Sequence, residues 1–314
     1  MKTRFIFNPK SGRPRRNAGL LPMLRDYVAS SSGETDLVCT EGPGHATEIA
    51  RDAVDAGYLR VVAVGGDGTV NEVAQALIHT PAAMGLVPCG SGNGLALHLC
   101  LPKTHVGCLR LAGGTSGRMA EMDTGTANGL VFVNAMGLGL DADVARRFNG
   151  LTSRGLPAYT RTALAAFLGR RTESFVISSG GQRETMDALL VTVANSDQYG
   201  NNARIAPHAR VDDGLLDLVA VKPVGLMAAL VLGVRLFTGT VHRSSGVRRL
   251  KGARFLIERA DAGFIHTDGE THMAGPCVEV LVQTRSLRLV VPNGCRAVTP
   301  RSAGSAAGFA LHLP

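Results

Sequence analysis

Gly65-Gly66-Asp67-Gly68-Thr69 is the stretch of this 314-residue chain whose residue types most directly suggest chemistry. Glycines let backbone come close to a bulky anion, and the free N–H groups of a turn that opens a helix point at it, so the stretch can cradle phosphate. Asp67 stands in the middle of the cradle. A carboxylate beside a phosphate repels it unless a cation lies between, so Asp67 argues for a bound metal or for proton chemistry. The same residues also suit an ordinary tight turn in which Asp67 or Thr69 caps the helix. Neither common phosphate fingerprint is present. There is no G-x-x-x-x-G-K-[ST], and Asn71 stands where a dinucleotide-binding turn needs glycine.

The elements that position these residues are legible on either side. Val61 to Val64 form a β-branched apolar run, and Val70, Val73, Ala74, Leu77 and Ile78 recur at helical spacing, which predicts strand, glycine turn, helix. The pattern repeats. Arg4 to Asn8 leads through Pro9, Lys10, Ser11 and Gly12 to a helix around Leu20 to Val28. Asp36 to Thr40 leads through Gly42-Pro43-Gly44 to a helix from Ala46 to Val54, and Met84 to Pro88 leads through Gly90-Ser91-Gly92-Asn93 to a helix from Leu95. Successive βα units of this kind imply a parallel sheet with helices on both faces, whose ligands sit beyond the carboxyl ends of the strands. Asn8 to Gly12, Thr40, Gly65 to Glu72 and Gly90 to Asn93 are thereby gathered on one rim.

After about Met119 the texture changes. Gly129 to Ala135, Ala188 to Ala194, Leu215 to Val221, Arg254 to Glu258, Val278 to Gln283 and Ser286 to Val291 read as strands, with helices at Pro157 to Leu168 and Val224 to Phe237. The predicted division is an α/β domain over 1–120, a mainly antiparallel β domain over 121–300, and a loose tail over 301–314.

A formal charge of +8 favours an anionic partner, whether a phosphorylated molecule or an acidic membrane surface. Aromatic residues make up 4%, with no basic stretch interleaved by stacking rings, which argues against nucleic acid. The six cysteines show no metal-ligand spacing and are expected to be reduced. The apolar run Phe5-Ile6-Phe7 is too short for a signal peptide, and the most apolar helix, Leu226 to Val234, is too short to span a bilayer. The chain is therefore expected in the cytoplasm, with any membrane contact peripheral. Oligomeric state has no signature in the sequence.

Val64-Gly-Gly-Asp-Gly-Thr-Val-Asn-Glu72 resembles the nucleotide motif of the diacylglycerol kinase and sphingosine kinase catalytic-domain family. Asn8-Pro9-Lys10-Ser11-Gly12 is similar to the family's first motif and Gly90-Ser91-Gly92-Asn93 to its third. Tyr199-Gly200 with Asp213-Gly214-Leu215 matches a further signature, and Asp268-Gly269-Glu270 an Asp-Gly-Glu motif. The resemblance implies an N-terminal domain like that of NAD kinase and phosphofructokinase, a C-terminal β-sandwich, and an active site in the cleft between them. It implies ATP and Mg²⁺ as cofactors and a membrane lipid as acceptor, either diacylglycerol or a sphingoid base or ceramide. Asn8, Pro9, Lys10, Ser11, Gly12, Thr40, Gly65, Gly66, Asp67, Gly68, Thr69, Asn71, Glu72 and Ser91 would contact the nucleotide. Glu270 is then a candidate base alongside Asp67. Asp213, Leu215 and the carbonyl of Arg210 would form a structural Mg²⁺ site, and Asp141 and Asp143 would meet the lipid head group or cap a helix. A soluble NAD kinase and a non-catalytic, nucleotide-gated lipid-binding module are the alternative functions.

Overall fold

The computed structural model describes residues 1–12, 19–31, 33–114, 116–151, 156–169 and 171–299. The tail expected from residue 301 lies outside them. Strands β1 (Thr3–Phe7), β2 (Thr35–Cys39), β3 (Arg60–Gly65) and β4 (Ala83–Pro88) form a parallel sheet in the order β2-β1-β3-β4. Helices α1 (Leu20–Ser30), α2 (His45–Asp55), α3 (Asp67–Leu77), α4 (Gly94–His98) and α5 (His105–Gly113) connect and cover it. Alternation along the strands divides the core. Ile6, Val61 and Ala63 pack with Val73 and Leu77 on one face, while Phe5, Phe7, Val62 and Val64 pack with Leu20, Leu24 and Leu109 on the other. Because β3 is buried throughout, its sequence is a continuous apolar run rather than an alternating one.

The second half is a sandwich, with β5 (Gly117–Ala127) and β6 (Leu130–Phe132) leading into it. One sheet, all antiparallel, contains β7 (Ala135–Gly139), β10 (Leu190–Ala194), β11 (Leu216–Val221), β12 (Val247–Gly252), β14 (Gly263–Thr267) and β15 (Glu270–Ala274) in the order β12-β11-β10-β7-β14-β15. Strands β8 (Glu173–Ser179), β9 (Gln182–Ala188), β13 (Arg254–Arg259) and β16 (Cys277–Pro292) lie opposite. Phe132, Phe175, Phe255, Leu138, Leu218 and Ile265 fill the space between. The outer face of the six-stranded sheet carries α6 (Leu140–Asn149), on which α7 (Leu156–Leu168) packs, and α8 (Leu226–Thr238).

Two segments differ from expectation. Gly129 to Ala135 is not one strand: Asn128 and Gly129 take positive φ as the turn between β5 and β6, and β7 starts afresh at Ala135. Val278 to Val291 is a single strand whose register shifts between Gln283 and Leu287. Its first part pairs with β13, and Arg288 and Leu289 pair in parallel with Ala83 and Met84 of β4, so one sheet runs through both halves. The expected boundary after residue 120 falls within β5.

Candidate active site

Three rim loops are tied to one another before any ligand is considered. Asn8 Nδ2 donates to Thr69 Oγ1 at 3.1 Å, and Asn8 Oδ1 accepts the Lys10 N–H at 3.0 Å. Gly66 and Gly90 lie back to back, and a Cβ on Gly90 would sit 2.7 Å from the Gly66 Cα, so no side chain fits between them. Asp67, first residue of α3, accepts the N–H groups of Asn93 and Gly94 at 2.8 Å each. Burial, opposed by those two bonds and reinforced by the nearby Asp268 carboxylate, pushes its pKa up to about 6. Thr40 is buried at the end of β2, whereas Pro9, Lys10, Gly68 and Ser91 are exposed along the same rim.

Asn71 and Glu72 have other work than the expected nucleotide contacts. The Asn71 amide donates to Asp268 Oδ2 at 2.7 Å and to the Val131 carbonyl at 3.2 Å, across the two halves of the molecule. Glu72 Oε2 accepts the Ala46 N–H at 3.1 Å, satisfying one of the unpaired donors at the start of α2.

The turn between β14 and β15 reaches this rim. Asp268 and Gly269 both have positive φ, as a two-residue hairpin turn requires. Asp268 accepts four N–H groups, from Asn71 and from the backbone of Val133, Asn134 and Ala135, at 2.7 to 3.0 Å. Burial still raises its pKa. Glu270, the other candidate base, is exposed at the start of β15, not desolvated. Further ties cross the cleft. His98, at the end of α4, pairs with Asp197 at 2.7 Å. Asn201 donates to the Gly92 carbonyl at 3.0 Å, and Gly200 bridges to Asn93. Burial opposes ionisation of Asp197, but the bond to His98, the Gln198 amide and the charges of His98 and Arg204 together outweigh it and lower the pKa.

Asp141 caps nothing. It is buried, accepts Thr192 Oγ1 at 2.5 Å and the Tyr199 hydroxyl at 2.8 Å, and lies 3.3 Å from His266 Nε2. Burial and the Asp141 charge keep the Tyr199 phenol protonated well beyond its ordinary range. Asp143 is not available to a head group, because Arg146 and Arg147 both hold it at 2.8 Å one helical turn away.

The expected structural Mg²⁺ site is not assembled. Lys251 Nζ lies 2.7 Å from Asp213 Oδ2, where a cation would sit, the N–H of Leu215 faces the other oxygen, and Arg210 pairs with Asp212. Among the described residues no group of three or more His, Cys, Asp or Glu side chains is placed to hold a metal. Asp67, a single carboxylate, suits a Mg²⁺ bound chiefly by phosphate oxygens and water. A groove of about 820 Å³ beside Arg183, Lys251 and Arg254 is lined by none of the rim-loop residues.

Residues 2–127 match the diacylglycerol kinase catalytic domain, and residues 134–291 match the YegS C-terminal NAD kinase β-sandwich-like domain. The chain belongs to the diacylglycerol kinase and YegS-like lipid kinase family. The diacylglycerol kinase of Bacillus subtilis is 26% identical over 276 residues, 86% of this chain and 89% of that one. A Chromohalobacter salexigens protein named probable lipid kinase YegS-like is 34% identical over 230 residues, 70% of this chain and 71% of that protein. The crystal structure of a diacylglycerol kinase from Bacillus anthracis shares the fold, with a TM-score of 0.70 at 20% identity over 94% of this chain and 98% of that one. An Archaeoglobus fulgidus NAD kinase solved with ATP has a TM-score of 0.50 at 11% identity, over 93% and 94%. The kinase is thus built as the sequence motifs imply, with an α/β domain and a β-sandwich beside it, a fold shared with that NAD kinase.

Sequence reasoning missed His98 and Asp197 as residues that brace this kinase's cleft, and quoted Asp268 only within a motif without that role. Only Asp268 left a local signal, an Asp-Gly pair between two apolar runs.

Proposed function

We propose that the chain transfers the γ-phosphoryl group of ATP to the hydroxyl of a membrane lipid, diacylglycerol or a sphingoid base or ceramide. Asp67 carries the proposal, because a carboxylate raised to about 6 is poised to accept a proton near neutral pH at the mouth of a phosphate-binding turn. The N–H groups of the Gly66–Gly68 turn and the start of α3, with Ser11 beside them, would hold the phosphates. Bound Mg²⁺, held by phosphate oxygens and by water, would supply charge neutralisation across them and leave Asp67 free to act as the base. The acceptor hydroxyl gives its proton to Asp67, its oxygen bonds to the γ-phosphorus, and the bond to the β-phosphate oxygen breaks to release ADP. The Asp141, Tyr199, Thr192 and His266 cluster would form the polar floor against which the lipid head group is oriented. Glu270, exposed as it is, would contribute charge near the acceptor and not the base. The enzyme would work at the cytoplasmic face of the membrane as a peripheral protein.

Incubation with labelled ATP, Mg²⁺ and micelles of diacylglycerol, sphingosine or ceramide, with NAD as a separate acceptor, tests the reaction. Label in one lipid is the expected outcome, and label in NADP would move the chain to the soluble NAD kinase class. Asp67→Asn should lower kcat by roughly 10²- to 10⁴-fold with ATP binding retained. If Glu270→Gln shows that loss and Asp67→Asn does not, the base is Glu270.

A further inference from the structure

Helix α8 has its apolar side chains on both faces. Leu232 and Leu236 point inward, onto Val221 and Val219, but Met227, Leu230, Val231, Val234 and Phe237 are exposed, Met227 by 74% and Val234 by 64%. At 13 residues the helix is too short to cross a bilayer, and among the described residues no helix qualifies. The charges of its sequence neighbourhood are of one sign. From Leu218 to Ile257, 40 residues, there is no Asp or Glu, while Lys222, Arg235, Arg243, Arg248, Arg249, Lys251 and Arg254 all fall inside. Several of these have acidic partners from elsewhere in the chain, Arg248 with Glu184 and Lys251 with Asp213 among them. The three nearest α8 in sequence, Lys222, Arg235 and Arg243, make no ion pair among the described residues.

The place of α8 in the fold connects it to the acceptor cluster. Thr192 stands opposite both Gly137 and Val219, and Gly137 stands opposite His266, so Thr192, Val219 and His266 share the outer face of the six-stranded sheet. Val219 and Val221 are the floor under α8, and Thr192 and His266 line the Asp141 cluster. The Leu236 carbonyl of α8 accepts the Arg204 N–H at 2.9 Å, in the same loop that carries Tyr199.

We propose that α8 is the kinase's membrane-docking element, lying in the plane of an anionic bilayer. Its Met227-to-Phe237 face sits among the acyl chains, and Lys222, Arg235 and Arg243 sit at the lipid phosphates. The proposal rests on the lipid kinase reading for its purpose but not for its evidence. A second copy of the chain is the poorer occupant, because a twofold contact through α8 would set this acid-free segment against itself. Docked in this way, the outer face of the sheet, and with it the Asp141 cluster, is turned toward the bilayer that holds the acceptor.

The test is co-sedimentation of the full chain with vesicles of phosphatidylcholine alone or mixed with phosphatidylglycerol, together with phosphorylation of a short-chain, monomeric diacylglycerol. Wild type should bind the anionic vesicles at least about fivefold more tightly per engaged cation. Met227→Glu with Val234→Glu should lose binding by roughly 30-fold or more at any salt, whereas Lys222→Glu with Arg243→Glu should lose it mainly at low salt. Both variants alter exposed side chains, and their melting temperatures and short-chain activity should stay within about twofold and a few degrees of wild type. Undiminished vesicle binding by Met227→Glu with Val234→Glu would overturn the proposal, as would absence of wild-type binding to either vesicle. A concentration-dependent dimer that this variant abolishes, without vesicle binding, would assign the face to a second copy instead. Vesicle binding without phosphorylation of any lipid would uphold the docking surface and remove the lipid acceptor.

Discussion

Asp67 and Asp268 are both half-buried carboxylates, and the Asp268 charge helps to disfavour that of Asp67, yet they are set up for different ends. Asp268 has four N–H donors and no reason to move. Asp67 has two, and its pKa of about 6 lies above the roughly 3.9 of an unfolded Asp. Between these values the folded state binds more protons than the unfolded one, so this residue's contribution falls as pH rises from 4 to 6. The stability of wild type relative to Asp67→Asn should therefore drop by about 1–3 kcal/mol across that window and stay flat above pH 7. Urea titrations of both proteins at pH 4.5, 5.5 and 7.5 check this, and a constant difference would mean that Asp67 is not raised. The same titration should appear in catalysis as kcat/KM rising with pH until about 6.

The hairpin turn between β14 and β15 joins two elements on which the cleft depends. Asp268→Ala leaves its four donors without their acceptor and should cost at least about 3 kcal/mol, read as a fall in urea midpoint at unchanged slope. Glu270→Ala, two residues on but exposed, should change stability by less than about 0.5 kcal/mol. Equal losses from the two would show that the turn, not the Asp268 carboxylate, is what matters. The elements themselves were largely legible. The four βα units are local patterns of apolar spacing and glycine, and helices expected at Pro157–Leu168 and Val224–Phe237 occur at Leu156–Leu168 and Leu226–Thr238. The rim followed from the rule for parallel sheets. The partners of Asp268, Asp141 and Asp197 did not, because each bond joins residues 51 to 197 positions apart or more than one loop, and no spacing within a window encodes them. The same limit explains Asp213, which has the look of a metal ligand until Lys251, 38 residues later, arrives beside it.

At the scale of the whole molecule, β16 decides how the halves behave. Leu287, Leu289 and Val291 belong to the core of the N-terminal sheet, while Val278 and Val280 belong to the sandwich, so one strand is shared by both. With that strand and the cleft ties in place, the two halves should unfold together. Calorimetry should give a single transition whose calorimetric and van't Hoff enthalpies agree, and two separable transitions would contradict it. The family resemblance divides the chain near residue 130, but the architecture does not, since the N-terminal sheet takes its neighbour to β4 from residues near 288. During synthesis at about 5–20 residues per second, β4 leaves the ribosome roughly 10–40 seconds before the strand that covers its open edge. For that interval a flat apolar edge is available to any passing strand, so the nascent chain, more than the finished kinase, is the form of this protein that needs a chaperone.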